Sequence, residues 1–280
     1  MRTISSKIGG TCSGIYSVSL RVLVCVLVFF SASVARAQQP FVTDDSDVTP
    51  KGRFHFEFSN EFDRLQRDAF PSRSQNIADF ELNYGLLKNV EIGVEVPIIT
   101  IVNDRSVLLP GVTGIGDMNL SLKYNFRQER EHSPWPAFAV ALNVEVPTGD
   151  VKRQLGSGLA DVYVNGILQK SLTGKTTLRL NGGILFSGNE TTGVIGIRTR
   201  GVVLTGGGSV RRQFTERLNL GAEVAGALAR NLDLSKGQVR VTVGGNYSLN
   251  DKMSFDFGLI GGRYIASPRL GVLLGLSIDF

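Results

Sequence analysis

The sequence is poor in cysteine and histidine and has no long apolar run. Its two cysteines, Cys12 and Cys25, both lie near the N-terminus, and only two histidines and one tryptophan occur in 280 residues. These scarcities leave few signals for metal or catalytic chemistry. The longest apolar run, Val22–Phe30, is much shorter than the roughly 20 residues that a membrane-spanning helix needs. Glycine, by contrast, is abundant, with 33 residues at a mean hydropathy of +0.07.

The N-terminus has the pattern of a secretory signal. Three basic residues accompany the apolar run: Arg2, Lys7 and Arg21. The run leads to an A-x-A cleavage site at Ala35-Arg36-Ala37. We therefore expect residues 1–37 to be removed, which takes both cysteines with them and leaves neither disulfide nor thiol chemistry. Lipoprotein processing at Cys25 is the alternative, but Val24 stands where a small residue would be expected.

Most of the excess positive charge belongs to this segment. The whole chain has 30 basic and 25 acidic side chains, and without residues 1–37 the balance is 26 to 25. The sequence pI of 9.3 is therefore no argument for nucleic acid as a partner. We expect a protein exported by a Gram-negative bacterium, with no nucleic-acid partner and no cofactor.

After a polar lead, residues 38–51, the chain alternates apolar and polar residues in segments of about ten. This period of two predicts β-strands, as in Phe54, Phe56 and Phe58, which alternate with His55 and Glu57. The pattern predicts about twelve strands, over residues 53–59, 78–86, 90–96, 118–126, 138–146, 161–169, 178–186, 203–211, 218–226, 239–249, 253–259 and 271–280. No segment has a convincing amphipathic helical pattern, which excludes the strand and helix alternation of a parallel sheet.

The connections between these segments alternate in length. Short ones lie at 86–89, 171–175, 213–217 and 250–252, with a somewhat longer one at 127–136. Long ones lie at 60–76, 99–116, 148–160, 187–201, 228–238 and 261–268. Long extracellular loops, short periplasmic turns and an even strand count are typical of outer-membrane barrels.

The apolar face of each strand has two interpretations. In a soluble barrel or sandwich it would face a core, and in a membrane barrel it faces lipid. Glycines on the apolar face favour lipid, because they fill a packed core poorly: Gly166, Gly182, Gly206, Gly208 and Gly245. Aromatic residues also gather at the short-turn ends, as in an interfacial girdle: Tyr84, Tyr124, Phe126, Trp135, Phe138, Phe214, Tyr247 and Phe280. The predicted fold, over residues 52–280, is an all-β, single, closed, antiparallel transmembrane barrel of about twelve strands.

The last strand has a further pattern. Apolar residues alternate up to the final aromatic residue: Val272, Leu274, Leu276, Ile278 and Phe280. This pattern resembles the recognition signal that the insertion machinery reads on bacterial outer-membrane barrels. An ordinary edge strand is the alternative. The predicted partners are outer-membrane lipid, that machinery and a small-molecule solute.

In the membrane interpretation the polar side chains face the lumen. The residues predicted to line it are Arg53, His55, Glu57, Glu91, Glu95, Asn119, Lys123, Asn143, Glu145, Asp161, Asn165, Arg179, Asn181, Glu223, Arg240 and Asp256. Acids facing bases can form a salt-bridged plug or a charged constriction, and the pattern leaves both open.

A turn motif at the long-loop side, which we call the corner, occurs twice. VEVP ends two predicted strands, at Pro97 and Pro147, and Gly-x-Gly with an Asp precedes the next strand as Gly114–Asp117 and as Gly156–Asp161. Proline stops a strand ladder and glycine permits a positive φ, which suits turns at a barrel rim. These corners, with Leu122-Lys123-Tyr124, resemble the outer-membrane transporter family named for the MetA pathway of phenol degradation. The resemblance covers about residues 80–280 and implies passage of small molecules, aromatic ones among them.

Other motifs give weaker signals. Gly174-Lys175-Thr176 mimics the end of a phosphate loop, but the earlier glycine is missing, so we interpret it as a turn. Asp44, Asp45 and Asp47 are either a calcium site or a solvated acidic lead, and the lead is favoured. His55 is predicted to face inward, away from any lipid-facing serine, which argues against a catalytic triad.

The sequence therefore predicts a signal peptide (1–37), a periplasmic lead (38–51) and a barrel (52–280) in the outer membrane. The predicted function is a passive channel for small molecules, aromatic or hydrophobic ones included. A structural or sensory barrel with a plugged lumen is the alternative, and a lipid-modifying enzyme is a third, less favoured interpretation. No catalytic, cofactor-binding or metal-ligating residues are predicted.

Overall fold

The computed structural model describes residues 39–69, 72–102, 111–130, 133–186, 201–229, 238–264 and 267–280. The predicted signal peptide and its cleavage site lie outside these residues, so they remain predictions. Within the described part the chain is almost entirely β-strand, and its one helix is the short 3-10 turn η1, Val151–Arg153. No helix of the described residues is long and apolar enough to cross a membrane.

Thirteen strands form one antiparallel sheet. They are β1 Phe54–Arg64, β2 Ser74–Leu87, β3 Val90–Val102, β4 Val112–Ile115, β5 Met118–Arg127, β6 Ala137–Val146, β7 Asp161–Thr173, β8 Thr176–Phe186, β9 Val202–Gln213, β10 Leu218–Ala229, β11 Gln238–Asn250, β12 Met253–Arg263 and β13 Leu270–Asp279. Apart from β4 and β5, strands that are neighbours in the chain pair with each other, and β1 also pairs with β13, so the sheet closes on itself. The predicted fold class is confirmed: a closed antiparallel barrel of 12 strands with one extra strand.

The extra strand arises because β4 and β5 share one partner. The first half of β3, from Val90 to Glu95, pairs with β5, and Ile98 to Ile101 pair with β4. Pro97 lies between these two stretches, so the prediction that it ends the strand is wrong. Proline removes only its own N–H from the ladder, and here the ladder changes partner at that point. Pro147, in contrast, does follow the last residue of β6.

The polar face of the strands is the interior of the barrel. In β1, Glu61 is 9% exposed while the next residue, Phe62, is 56% exposed. His55, Glu57, Ser59 and Asp63 are buried in the same alternation, and the intervening apolar side chains are not. A barrel in lipid has charged side chains inside and exposed phenylalanine side chains outside, whereas a soluble barrel has the reverse arrangement. The predicted orientation is therefore correct.

Aromatic side chains cluster at the end of the barrel that carries the short turns, which we call the short-turn end. Phe126 lies 4.4 Å from Tyr124 and 5.5 Å from Phe138, measured between ring centroids. Phe54, the first residue of β1, stacks on the C-terminal Phe280 at 5.9 Å. Such outward rings suit the boundary between headgroups and acyl chains, where an amphipathic ring is stable.

Several strands extend further toward the opposite, long-loop end than the pattern predicts. β1 continues to Arg64, β3 to Val102 and β12 to Arg263. Asn60 and Thr100 interrupt the outward apolar series there, so the hydrophobic alternation weakens before the backbone pairing ends. Gly174 and Lys175 form the tight turn between β7 and β8, as predicted.

Candidate functional site

The N-terminal segment, residues 39–51, lies inside the barrel in its short-turn half. Phe41, Thr43 and Ser46 are all at most 3% exposed. We expected the acids of this segment to be solvated, and that expectation is wrong, because Asp45 is only 6% exposed. We refer to residues 39–51 as the lumenal segment.

The carboxylate of Glu223 binds one end of the lumenal segment. Its Oε1 and Oε2 accept hydrogen bonds from the backbone N–H groups of Val42 and Thr43 at 3.1 and 2.6 Å. The Thr43 hydroxyl donates to Ser209 Oγ at 2.6 Å, and Phe41 lies under the Arg211 guanidinium at 5.6 Å. Backbone N–H groups that pair with a carboxylate form strong, charge-assisted hydrogen bonds.

The carboxylate of Glu91 binds the other end. Its Oε2 accepts from both the backbone N–H and the hydroxyl of Thr49, each at 2.6 Å. Asn125 donates from its side-chain amide to the carbonyl of Ser46. The segment is therefore fixed at both ends by side chains of β3, β5 and β10, on opposite sides of the barrel.

An ion cluster fixes the middle of the segment. Lys123 Nζ lies 3.1 Å from Asp44 Oδ1, 3.3 Å from Glu91 Oε1 and 3.9 Å from Asp45 Oδ1. On the far side, Arg179 donates to Asp45 Oδ2 at 2.9 Å. Burial raises the pKa of Asp44 to about 6, although the positive charge of Lys123 acts against this. Each buried base is thus matched by an acid, as buried charges require.

A cavity of about 370 Å³ lies beside this segment, in the half of the barrel nearer to the long loops. Val42 and Thr43 form part of its wall, and residues of β1, β2, β7, β8, β9, β10 and β11 form the rest. Across it, Arg240 donates to both carboxylate oxygens of Glu61, at 3.1 and 2.8 Å. The volume is in the range of small-molecule sites.

His55 is held between two carboxylates at the short-turn end. Its Nδ1 lies 2.6 Å from Asp279 Oδ1 and its Nε2 lies 2.8 Å from Glu57 Oε1. Asp279 is on β13, so this contact bridges the strands that close the barrel. Both ring nitrogens are engaged by these carboxylates, and neither contacts a serine of the described ranges.

The corner motif of the sequence forms a defined structure at the long-loop end. Asp117 accepts hydrogen bonds from the backbone N–H groups of Gly149 and Ser157, at 2.8 and 2.7 Å. A Cβ on Gly156 would lie 2.4 Å from the Asp117 carboxylate, so glycine is required there for close approach. The predicted positive φ occurs at Gly158, with φ of 67°, but not at Gly156. The corner directs Leu155 into a cluster with Ile99 and Ile101.

The structure places every residue that the sequence predicted to line the lumen on the inner side of the wall. Nine are buried: His55, Glu57, Glu91, Lys123, Asp161, Asn165, Arg179, Glu223 and Asp256. The others are half-buried: Arg53, Glu95, Asn119, Asn143, Glu145, Asn181 and Arg240. Only part of this set meets in one cluster, since Asp256 accepts from Ser277 and Arg240 pairs with Glu61 instead. Their role in lining a conduction path is a proposal.

The sequence did not identify three contributors to the lumen. Asp44 and Asp45 bind partners about 80 and 130 residues away, which no local pattern reveals. Glu61 was assigned to a loop, although it continues the odd-numbered inward set of β1. Within the described chain, no group of three or more histidine, cysteine, aspartate or glutamate side chains is arranged to hold a metal ion.

Residues 37–280 match the family described as "Putative MetA-pathway of phenol degradation". The chain belongs to this family. The resemblance found in the corner motifs is thereby confirmed, and the match extends to the first strand and the lumenal segment. No curated protein matches the sequence.

Solved structures share the fold of this family member. The COG4313 outer membrane channel from Pseudomonas putida F1 aligns with a TM-score of 0.65 at 16% identity, covering 87% of this chain and 100% of that one. The NanC porin aligns at 0.53 with 8% identity, covering 80% and 98%, and the KdgM porin at 0.52 with 9%, covering 81% and 99%. At these identities the likeness concerns the fold.

Proposed function

We propose that this protein is an outer-membrane channel through which small molecules diffuse down their concentration gradient. The observation that carries the proposal is a closed barrel whose polar interior contains a cavity of about 370 Å³. Ionisable groups inside keep such a lumen wet, and the apolar outside matches the bilayer. The family description names phenol degradation, so small aromatic molecules are the first solutes to test.

Export and assembly follow from the two ends of the chain. Residues 1–37 direct the protein across the inner membrane and are removed. The insertion machinery then reads the outward face of β13, with Val272, Leu274, Leu276 and Ile278, together with Phe280, which follows the strand. Support comes from their exposure: Val272 is 39%, Leu274 44% and Phe280 47% exposed.

The proposed function involves no catalysis. A serine hydrolase of the outer membrane would need a histidine that can accept a proton from a serine. His55 has both ring nitrogens within hydrogen-bonding distance of carboxylates, and it lies inside the barrel. It therefore supports a structural role, in which it connects β1 to β13.

The second candidate is a structural or sensory barrel without transport. The position of the lumenal segment favours it, because residues 41–49 occupy the short-turn half and bind charged groups on several strands. If that segment never leaves the lumen, Val42 and Thr43 close the cavity on the side of the short turns, and no solute passes.

Liposome swelling and planar-bilayer conductance distinguish the two. We expect the wild-type barrel to admit small solutes slowly, and a variant that lacks residues 40–50 to admit them faster. The matched control keeps the segment but replaces Lys51, an exposed residue at its end, by glutamine. If neither wild type nor the shortened variant admits any solute, while both migrate as folded barrels in gels, the channel proposal is wrong.

A further inference from the structure

The cavity has one charged group that the fold leaves without a hydrogen-bonding partner. Asp79, on β2, lies on its wall, and no residue that the structure describes donates a hydrogen bond to its carboxylate. Its neighbours across the two adjacent strands are Ser59 and Pro97. Proline has no N–H to offer. The nearby charges, Glu61 and Glu81, have the same sign as Asp79.

The other charges on the cavity wall neutralise each other. Arg240 forms two hydrogen bonds to the carboxylate of Glu61, in the fork geometry that satisfies both groups. The Arg240 guanidinium therefore already binds a protein carboxylate, and an incoming anion would have to displace Glu61 from it. Among the described residues of the cavity wall, Asp79 is then the acid that no base balances.

The wall opposite Asp79 is built from small and apolar groups. Gly207, Ala225 and Ala227 lie side by side on β9 and β10, and their short side chains provide the space. Tyr163 closes one side of this surface, with its hydroxyl accepting a hydrogen bond from Thr205 at 3.0 Å. An apolar cavity of about 150 Å³ already holds a benzene ring. The cavity here therefore has room for one substituted ring.

We propose that the cavity is a binding site for a small molecule with an apolar body and a cationic or hydrogen-bond-donating head, and that Asp79 binds this head. An ammonium group would supply the charge and the donors that Asp79 lacks. A carboxylate on the same body would meet an acid that no neighbouring base balances, and it would be rejected. The proposal rests on the channel function and adds the class of solute that the lumen prefers.

The test is equilibrium binding to the purified full-length barrel in detergent, by isothermal titration calorimetry against a blank of the same micelles. The probes are benzylamine, benzyl alcohol and benzoate, which share one ring and differ in the charge of the head. We expect benzylamine to bind tightest, benzyl alcohol more weakly, and benzoate at least tenfold more weakly than benzylamine. Equal affinities, benzoate as the tightest ligand, or no binding of any probe would overturn the proposal.

Variants locate the site. Asp79→Asn should lower the affinity for benzylamine about tenfold and leave benzyl alcohol nearly unchanged, because a charge-assisted hydrogen bond is replaced by a neutral one. The matched control is Asp63→Asn, an inward acid of β1 outside the cavity wall that accepts from Gln75 at 3.0 Å. Ala225→Leu should weaken the ring-bearing probes alike. An unchanged benzylamine affinity in Asp79→Asn or in Ala225→Leu would overturn the proposal, and if Asp79→Asn does not fold, the wild-type ranking decides.

The two assays test the binding proposal and the channel proposal independently. Calorimetry needs no passage through the barrel, so a barrel that admits no solute would still bind benzylamine in preference to benzoate. Swelling that is equally fast for all three heads, with no preference in calorimetry, would overturn the inference and leave the channel function in place.

Discussion

Replacing Glu223 by glutamine should release the N-terminal end of the lumenal segment. The carboxylate of Glu223, 1% exposed, accepts the backbone N–H groups of Val42 and Thr43 with its two oxygens. Glutamine has a single acceptor oxygen, and its amide NH₂ would face the second N–H. One charge-assisted bond is lost and the other becomes neutral, which costs about 3 kcal/mol. The undocked population should therefore rise roughly 150-fold.

Limited proteolysis measures this population, because cleavage within residues 39–51 requires undocking while the closed barrel resists digestion. We expect the cleavage rate of Glu223→Gln to exceed that of wild type by about two orders of magnitude. Asp256→Asn is the matched control: its carboxylate is also buried on the inner wall, but it accepts from Ser277 of β13. Cleavage of Glu223→Gln within threefold of wild type, with the barrel still folded, would refute the anchoring role.

Three further outcomes are expected. Asp117→Asn should lower the free energy of unfolding in urea by about 1 to 3 kcal/mol, because Gly149 and Ser157 then share one acceptor oxygen; an unchanged midpoint would contradict the corner's role. Phe280→Ala should reduce the fraction of protein that assembles into heat-modifiable barrel severalfold, while Leu270→Ala, at the other end of β13, should not. Docking of the lumenal segment should strengthen as the pH falls from about 7.5 to about 5. Burial in the docked segment raises the pKa of Asp44 to about 6, so the docked state binds the proton more tightly than the undocked state does. Fluorescence anisotropy of a dye at Gln39→Cys should rise over that range, and a fall would contradict the sign.

The strands of the barrel wall could be predicted from the sequence because the polarity pattern that identifies a strand lies within a few consecutive residues. A strand exposes one face to lipid and the other to water, so residues two apart must match in polarity, and Phe54, Phe56 and Phe58 suffice to fix the register of β1. A closed sheet follows, since lipid offers backbone groups no partner. Strand ends at the long loops were less predictable, because pairing continues at Arg64 after the hydrophobic pattern has stopped.

The same local pattern gave the inward side of the residues predicted to line the lumen, but not what each of them binds. Glu91 and Glu223 both point inward by alternation, and nothing in their surroundings in sequence distinguishes one from the other. Their partners, Thr49 and Thr43, lie 42 and 180 residues away. The glycine of the corner was recognised, but its cause, the carboxylate of Asp117 beside Gly156, depends on two loops meeting.

The sequence by itself predicted a closed barrel with an apolar outside and a charged inside. A period of two indicated the strands, and the glycines and aromatic residues of the apolar face favoured lipid over a soluble core. Only the tertiary structure decided that residues 39–51 lie within the lumen and that Arg240 is neutralised by Glu61. It also decided that Asp79, beside a cavity, receives no hydrogen bond from the part of the chain that the structure describes. These facts concern groups on opposite walls, which closure brings together across the lumen. No alternation along a single strand contains that information.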